Sequence, residues 1–109
     1  MTSDYVVTTL HEFVSEVDGA LPGGALVQGP NGNLYGVTQA GGTGKSGIVF
    51  EISTDGSSYI VLHNFADGSV PNDGKDPVCT LILASDNNFY GTTATGGTHD
   101  LGTIFRITP

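Results

Sequence analysis

The stretch A-L-V-Q-G-P-N-G-N-L-Y-G-V-T-Q-A-G-G-T-G-K-S-G-I-V-F-E-I, residues 25–52, recurs as T-L-I-L-A-S-D-N-N-F-Y-G-T-T-A-T-G-G-T-H-D-L-G-T-I-F-R-I, residues 80–107. The two copies are offset by 55 residues throughout, with no gap inside the block. A shorter match surrounds them: Y-V-V-T-T-L-H-E-F ends at Phe13, and Y-I-V-L-H-N-F ends at Phe65. A period of about 50 residues points to stacked supersecondary units, such as the blades of a β-propeller.

No segment reads as a helix. Apolar residues alternate or run in short blocks rich in β-branched and aromatic side chains, between clusters of Gly, Asn, Asp and Ser. The first copy is expected to form four strands, A to D, at residues 25–28, 33–38, 47–53 and 58–65. Pro30-Asn31-Gly32 and Asp55-Gly56 supply its turns, since Asn and Gly accept positive φ. The second copy gives strands A to C at residues 78–84, 88–93 and 102–108, turning at Asp86-Asn87. Its fourth strand is matched at the other end, by residues 5–13, so the order is D, A-B-C-D, A-B-C. Residues 14–65 then hold one complete blade, and residues 66–109 with an outer strand of the 1–13 type hold the second. The expected fold is all-β, with two four-stranded antiparallel propeller blades per chain. A blade must cover both apolar faces, and propellers close with about four to eight blades. A ring closed by homo-oligomerisation is therefore expected, either a homotrimer giving six blades or a homotetramer giving eight. Residues 5–13 would pair with the 78–108 sheet of a neighbouring subunit.

Composition narrows the partners. The chain has 109 residues, 38% of them hydrophobic, and 17 glycines that fall at turns without a collagen period. Its net charge of −8, with Lys45, Lys75 and Arg106 as scattered cations, speaks against nucleic acid and against an anionic membrane surface. No apolar run approaches the roughly 18 residues of a membrane-spanning helix, and no stretch reads as an export signal. A soluble chain of undetermined compartment is expected. Cys79 stands alone, which rules out an internal disulfide; it reads as a small core hydrophobe.

The motifs N-L-Y-G-V-T…G-G…G-I-V-F-E-I and N-F-Y-G-T-T…G-G…G-T-I-F-R-I resemble those of the GloVer tandem-repeat family. That family carries a D-G-N-L-Y-G-T-T…G-G…G-T-V-F repeat, and the L-H-x-F segments resemble its L-x-x-F outer strand. The resemblance covers nearly the whole chain. It implies a β-propeller and admits an extracellular location, but it implies no catalytic residues. The family usually has several repeats, so a short natural member and an excised or engineered fragment are both open.

Chemistry-bearing strings were weighed between the copies. Gly41-Gly42-Thr43-Gly44-Lys45-Ser46 looks like the end of a phosphate loop, yet Gln39 stands where the first glycine is needed and a strand follows instead of a helix. Residues 67–76 offer several oxygen ligands without EF-hand spacing, and read as a solvated loop. The corresponding first-copy loop, residues 14–24, is taken to share only its acidity. His11 and His63 hold one repeated position and read as structural, while His99 beside Asp100 reads as an exposed pair. Tyr35 and Tyr90, Phe50 and Phe105, and Phe13 and Phe65 recur in register as core aromatics.

The B–C and D–A loops should emerge at one end, and they differ between copies. The D–A stretch holds 15 residues between Phe65 and Leu81 against 12 between Phe13 and Leu26. Scaffolds carry function on such loops, so Lys45, Asp73, Lys75, Asp76, His99 and Asp100 are the candidate ligand-binding residues. The leading reading is a self-assembling propeller scaffold, non-enzymatic, without cofactor or metal, presenting a face for a glycan or protein ligand. A purely structural module or a fragment of a longer propeller is the alternative. A carbohydrate-active enzyme is the third reading, and would require converging carboxylates.

Overall fold

The computed structural model describes residues 6–13 and 18–109; Tyr5 and residues 14–17, on which two expectations rested, lie outside the described residues. Its strands are β1 (Ala20–Gln28), β2 (Leu34–Ala40), β3 (Ile48–Ile52), β4 (Tyr59–Asn64), β5 (Gly74–Pro77), β6 (Ile82–Leu83), β7 (Phe89–Gly96) and β8 (Thr103–Ile107). No helix occurs among the described residues. The all-β expectation holds, as two antiparallel sheets.

Turn chemistry sets the hairpins identically in both copies. Before β2, Gly29 N–H donates to Asn33 O at 2.9 Å and Gly32 N–H to Gly29 O at 3.0 Å. Before β7, Ala84 and Asn87 make the equivalent bonds at 3.0 and 2.9 Å. The left-handed position is Gly32 (φ 86°) in one turn and Asn87 (φ 65°) in the other, the two residue types that tolerate it best. Asn31 Oδ1 and Asp86 Oδ1 each accept the amide two residues on, at 3.0 Å, an Asx turn in both cases.

The first sheet is a four-stranded meander, β1-β2-β3-β4. In the second, β7 is central, β8 pairs along one edge, and β5 and β6 follow each other along the opposite edge. Register repeats with the sequence: Ala20↔Ala40 and Pro22↔Thr38 become Lys75↔Thr95 and Pro77↔Thr93. A register shift between Gly23 and Val27 in β1 corresponds to the break between β5 and β6. The innermost strand thus starts earlier than expected in both copies. Residues 74–76, read above as part of a solvated loop, belong to β5, and residues 78–84 supply only the two-residue β6. The loops before them also share more than acidity, because D-G-x-x-P at residues 18–22 returns at residues 73–77.

Residues 6–13 form no strand in the single chain and do not join β8. Only their end, Leu10 to Phe13, lies on the first sheet. The Phe13 ring meets Phe50 at 5.9 Å and Tyr59 at 6.0 Å, and the His11 ring stacks on Tyr59 at 3.8 Å. With β5 and β6 sharing one edge, no strand among the described residues occupies in the second sheet the position that β4 fills in the first.

Alternation along the strands sends side chains to two faces. In the first sheet Tyr35, Val37 and Val49 point toward the second sheet and bury with Leu81 and Phe89, while Ile48, Phe50 and Ile52 form a second cluster on the opposite face. Tyr35 and Phe89 rings lie 4.2 Å apart at the centre of the joint, and Phe65 meets Phe105 at 5.1 Å. Two polar links close its ends: Ala25 N–H donates to Thr80 Oγ1 at 3.0 Å, and Asp76 N–H to Ser46 O at 2.9 Å.

The glycine of each Y-G pair has a packing reason. A Cβ at Gly36 would stand 2.7 Å from Phe50 Cζ, and one at Gly91 2.6 Å from Phe105 Cζ. The aromatic of the third strand lies across a bare backbone in both copies. Gly36→Ala and Gly91→Ala are each expected to destabilise the fold by about 1–3 kcal/mol through overpacking. The exposed Gln39→Ala control on β2 should stay within about 0.5 kcal/mol; chemical denaturation of the three variants measures the difference.

Candidate functional site

The loop end is built from β2–β3, β7–β8 and β4–β5 connections. Gly41 and Gly42 take φ of 83° and 80°, and Gly96 and Gly97 take the same values. Gly47 and Gly102 follow at 101° and 103°, and Lys45 and Asp100 both stand at 58°. Gly47 N–H closes on Gly41 O at 3.0 Å and Gly102 N–H on Gly96 O at 3.1 Å. The two loops share one backbone whatever their side chains. In the phosphate-loop-like string, Lys45 N–H is spent on Gly42 O at 3.1 Å, and β3 follows where a helix would be needed.

The longer β4–β5 loop is held by Asp73. Its Oδ2 bonds His63 Nε2 at 2.8 Å and accepts Ala66 N–H at 3.0 Å, and its Oδ1 accepts Gly74 N–H at 2.9 Å. The first copy repeats the pairing: His11 Nε2 meets Asp18 Oδ2 at 3.0 Å. In both copies the imidazole also stands edge-on to the phenylalanine two residues later, His11 to Phe13 and His63 to Phe65, each at 4.7 Å. The repeated histidines are therefore structural, as expected. His63 ties the end of β4 to the start of β5, and His11 ties its own segment to the residues just before β1. Asp18 was not singled out from sequence, although the D-G-x-x-P repeat could have found it.

Three of the candidate binding residues come together. Asp73, Lys75 and Asp100 line a polar cleft of about 390 Å3 with Asn72, Gly96 and Gly97. Asp100 turns one carboxylate oxygen back to Gly96 N–H at 2.9 Å. The others are placed apart from this cleft. Asp76 lies in β5 with a left-handed backbone (φ 55°), its side chain 3.4 Å from Thr95 Oγ1. Lys45 sits on the equivalent loop of the first copy, and His99 is exposed on the β7–β8 loop. Within residues 67–76 the carboxylates serve separate local bonds: Asp67 caps Ser69 N–H at 2.9 Å, and Asp73 holds His63. Among the described residues no group of three or more His, Cys, Asp or Glu side chains is arranged to hold a metal ion. Cys79 is half-buried beside the core, with Thr92 N–H pointing at its sulfur at 3.3 Å.

The opposite end has its own electrostatics. Asp55 accepts Ser57 N–H at 3.0 Å and the hydroxyls of Ser57 and Ser53 at 2.7 and 2.8 Å. The Ser57 amide first, then the two hydroxyls, hold its carboxyl down at about 2. Glu51 is lowered as well, chiefly by Asn33 Nδ2 at 2.7 Å. Burial pushes the Tyr59 phenol up, helped by the charge of Asp18, and its hydroxyl donates to Asp18 O at 2.7 Å.

On the outer face of the first sheet lies an apolar hollow of about 240 Å3, bounded by Leu10, Phe13, Leu26, Phe50, Ile52 and Tyr59. Leu26 is 52% exposed there. The outer face of the second sheet is also apolar and wet, with Ile82 at 65% and Ile104 at 81% exposure.

Two outcomes follow from these contacts. Asp73→Ala strips a partner from His63 and two backbone amides, and should destabilise the fold by about 1–3 kcal/mol in urea titrations. For Asp55 the folded pKa lies below the ordinary 3.8, so its stabilisation is present above that pH and fades as pH falls through about 2. Its carboxyl carbon shift, followed by NMR, should titrate lowest among the exposed aspartates in these turns.

No curated protein and no solved structure matches the chain. The Gloeobacter/Verrucomicrobia repeat does match, over residues 1–109. The twin Y-G strands, the twin glycine loops and the twin histidine–aspartate ties are the repeat in three dimensions, and the chain belongs to the Gloeobacter/Verrucomicrobia repeat family.

Proposed function

We propose that this chain is a self-assembling scaffold whose two sheets are propeller blades, closed into a ring by head-to-tail association of its copies. One observation carries the reading. Val27, Tyr35, Val37 and Val49 of the first copy correspond, at the offset of 55, to Ile82, Tyr90, Thr92 and Ile104 of the second. In the first copy Tyr35, Val37 and Val49 are at most 1% exposed, because the second sheet covers them. In the second copy Ile82 and Ile104 stand mostly in water. Ile82, Tyr90 and Ile104 keep that face largely apolar in the second copy, with Thr92 in place of Val37 and Arg106 in place of Glu51, and it is covered in the first copy only.

The complementary half is present on the first sheet. Leu81, Phe89, Phe105 and Ile107 receive the first sheet within the chain. Their counterparts are Leu26, Leu34, Phe50 and Ile52, which border the apolar hollow or its cluster. A second copy placed on the first as the first sheet sits on the second would cover both exposed faces with one kind of joint. Such a heterologous contact closes when its rotation divides a full turn. Three copies give six blades and four give eight, both within the range of known propellers.

The loop end of this ring carries the binding role. The β2–β3 and β7–β8 loops share a conformational frame but differ in side chains, so Lys45, His99 and Asp100 present variable chemistry on a constant backbone, with Lys75 of β5 lining the same cleft as Asp100. A glycan or protein surface is the class of ligand suited to such a shallow polar cleft. In the alternative reading the module is purely structural, or its outer faces are met by further repeats of a longer polypeptide.

Sedimentation and native mass of the 109-residue chain decide between these. A closed species of three or four chains is expected at micromolar concentration; a stable folded monomer overturns the ring. Ile104→Asp should reduce the assembly to single chains while leaving the β-sheet circular dichroism in place, since the side chain contributes within about 0.5 kcal/mol to the isolated fold.

A further inference from the structure

Residues 6–13 stand to the first sheet as the end of β4 stands to the second. Phe65 packs on Phe105 at 5.1 Å, and Phe13 packs on Phe50, the residue equivalent to Phe105, at 5.9 Å. His63 ties to Asp73 and His11 to Asp18, at 2.8 and 3.0 Å. The anchoring half of an outer strand is therefore already docked on the chain's own first sheet. The rest is not: Val6 is 82% exposed and Val7 93%. Within the chain, the residues just before His63 and Phe65 are β4, hydrogen-bonded along the β3 edge of the preceding sheet. Among the described residues, those just before His11 and Phe13 pair with no sheet, and β8, the counterpart of β3, carries no strand on its outer edge.

We propose that residues 7–12 of one copy form the fourth strand of the second sheet of another copy, pairing antiparallel with β8 in a register set by the repeat. This rests on the head-to-tail reading above and names the element that joins its subunits. In the first sheet the pairs are Ile48↔Asn64, Val49↔His63, Phe50↔Val61, Glu51↔Ile60 and Ile52↔Tyr59, with a bulge between Val49 and Phe50. Moving β3 forward by 55 residues and β4 back by 52 gives Thr103↔Glu12, Ile104↔His11, Phe105↔Thr9, Arg106↔Thr8 and Ile107↔Val7. Leu10 falls at the bulge, as Leu62 does in β4. Val7 and Thr9 come to the face of Phe105 and Ile107, the face whose first-sheet counterpart, Phe50 and Ile52, packs with Tyr59 and Val61.

The docked half explains why this strand goes to another copy. His11 and Phe13 are held on the first sheet, and the first sheet lies between them and the second. The intrachain joint continues from copy to copy: the same His–Asp tie and the same Phe–Phe contact recur at every blade boundary, and only the chain that supplies the strand changes. An antiparallel edge left open is a template for such pairing, and donation of one strand by each copy removes it.

The test is a register-specific cross-link in a Cys79→Ser background. Chains carrying Thr8→Cys are mixed with chains carrying Arg106→Cys, dissociated together, reassembled and oxidised. Directly opposed residues of an antiparallel pair bring Cβ atoms within about 4.5–5.5 Å, close to disulfide reach. A shift from one-chain to two-chain mass on a non-reducing gel is expected. The Thr9→Cys and Arg106→Cys mixture, whose side chains face opposite sides of the sheet, should stay at one-chain mass. Cross-linking of the Thr9 mixture in preference to the Thr8 mixture overturns the register. Oligomers of unchanged native mass with no cross-link in either mixture overturn strand donation while leaving the ring intact. A Thr8→Cys, Arg106→Cys double variant that closes within a monomer overturns both donation and ring.

Discussion

Everything in this chain depends on a single requirement: a twisted sheet that is apolar on both faces must have a neighbour on each. The first sheet meets it on one side through Tyr35, Val37 and Val49, packed on Leu81 and Phe89. Burying each such side chain stabilises by about 1.5–3 kcal/mol, and the Tyr35–Phe89 ring contact adds about 0.5–1.5 kcal/mol beyond area. A lone four-stranded meander would leave these groups in water. The joint between sheets, rather than either sheet by itself, is therefore the unit of stability, and the sequence repeats with the period of that joint.

Local chemistry is subordinate to making the joint reproducible. Gly36 and Gly91 strip the backbone so that Phe50 and Phe105 can lie across it. The glycine loops fix where β3 and β8 begin, His63 fixes where β4 ends against β5, and His11 makes the same tie ahead of β1. A histidine serves here because its ring does two things at once. One edge bonds a carboxylate that also caps backbone amides, as Asp73 does, while the ring packs on the phenylalanine beneath. Leucine could pack in that place but would leave Asp73 without its partner. Asparagine could bond but would leave the ring of Phe65 uncovered.

Much of this was legible in the sequence because the two copies read each other. The gapless block from Ala25 to Ile52 marks β2 and β3, β7 and β8, and the turns at Gly32 and Asn87, since turn residues and alternation agree in both. The start of the inner strand was missed because G-A-L-P-G-G and G-K-D-P-V-C share little hydrophobicity. Backbone pairing to β2 and β7 makes residues 20–23 and 74–77 strand, and the interrupted register hides the alternation. The L-H-x-F end led to the expectation of an outer strand at residues 5–13, yet residues 6–13 form no strand here, because a motif records what a segment is suited to pair with and not where that partner lies. Of the candidate site, the grouping of Asp73, Lys75 and Asp100 followed from loop topology. That Asp73 is engaged by His63 and two amides did not, because a hydrogen bond ten residues long leaves no periodic trace.

The division of labour among acidic residues separates scaffold from surface. Asp73 and Asp86 each serve backbone amides within a turn, and Asp18 is tied to His11. A carboxylate used in this way is fixed in position by its donors. What varies between the copies is the side-chain set on the paired loops, Gly44-Lys45-Ser46 against His99-Asp100-Leu101, carried on the same φ values. A frame conserved in geometry and free in side chain is the arrangement of a recognition surface, in which specificity is changed without disturbing the joint. We propose binding at the loop end because Gly41 and Gly96 share one backbone conformation while Lys45 and its counterpart Asp100 carry opposite charges. The asymmetry between fixed backbone and free side chain is the physical argument for binding at that end.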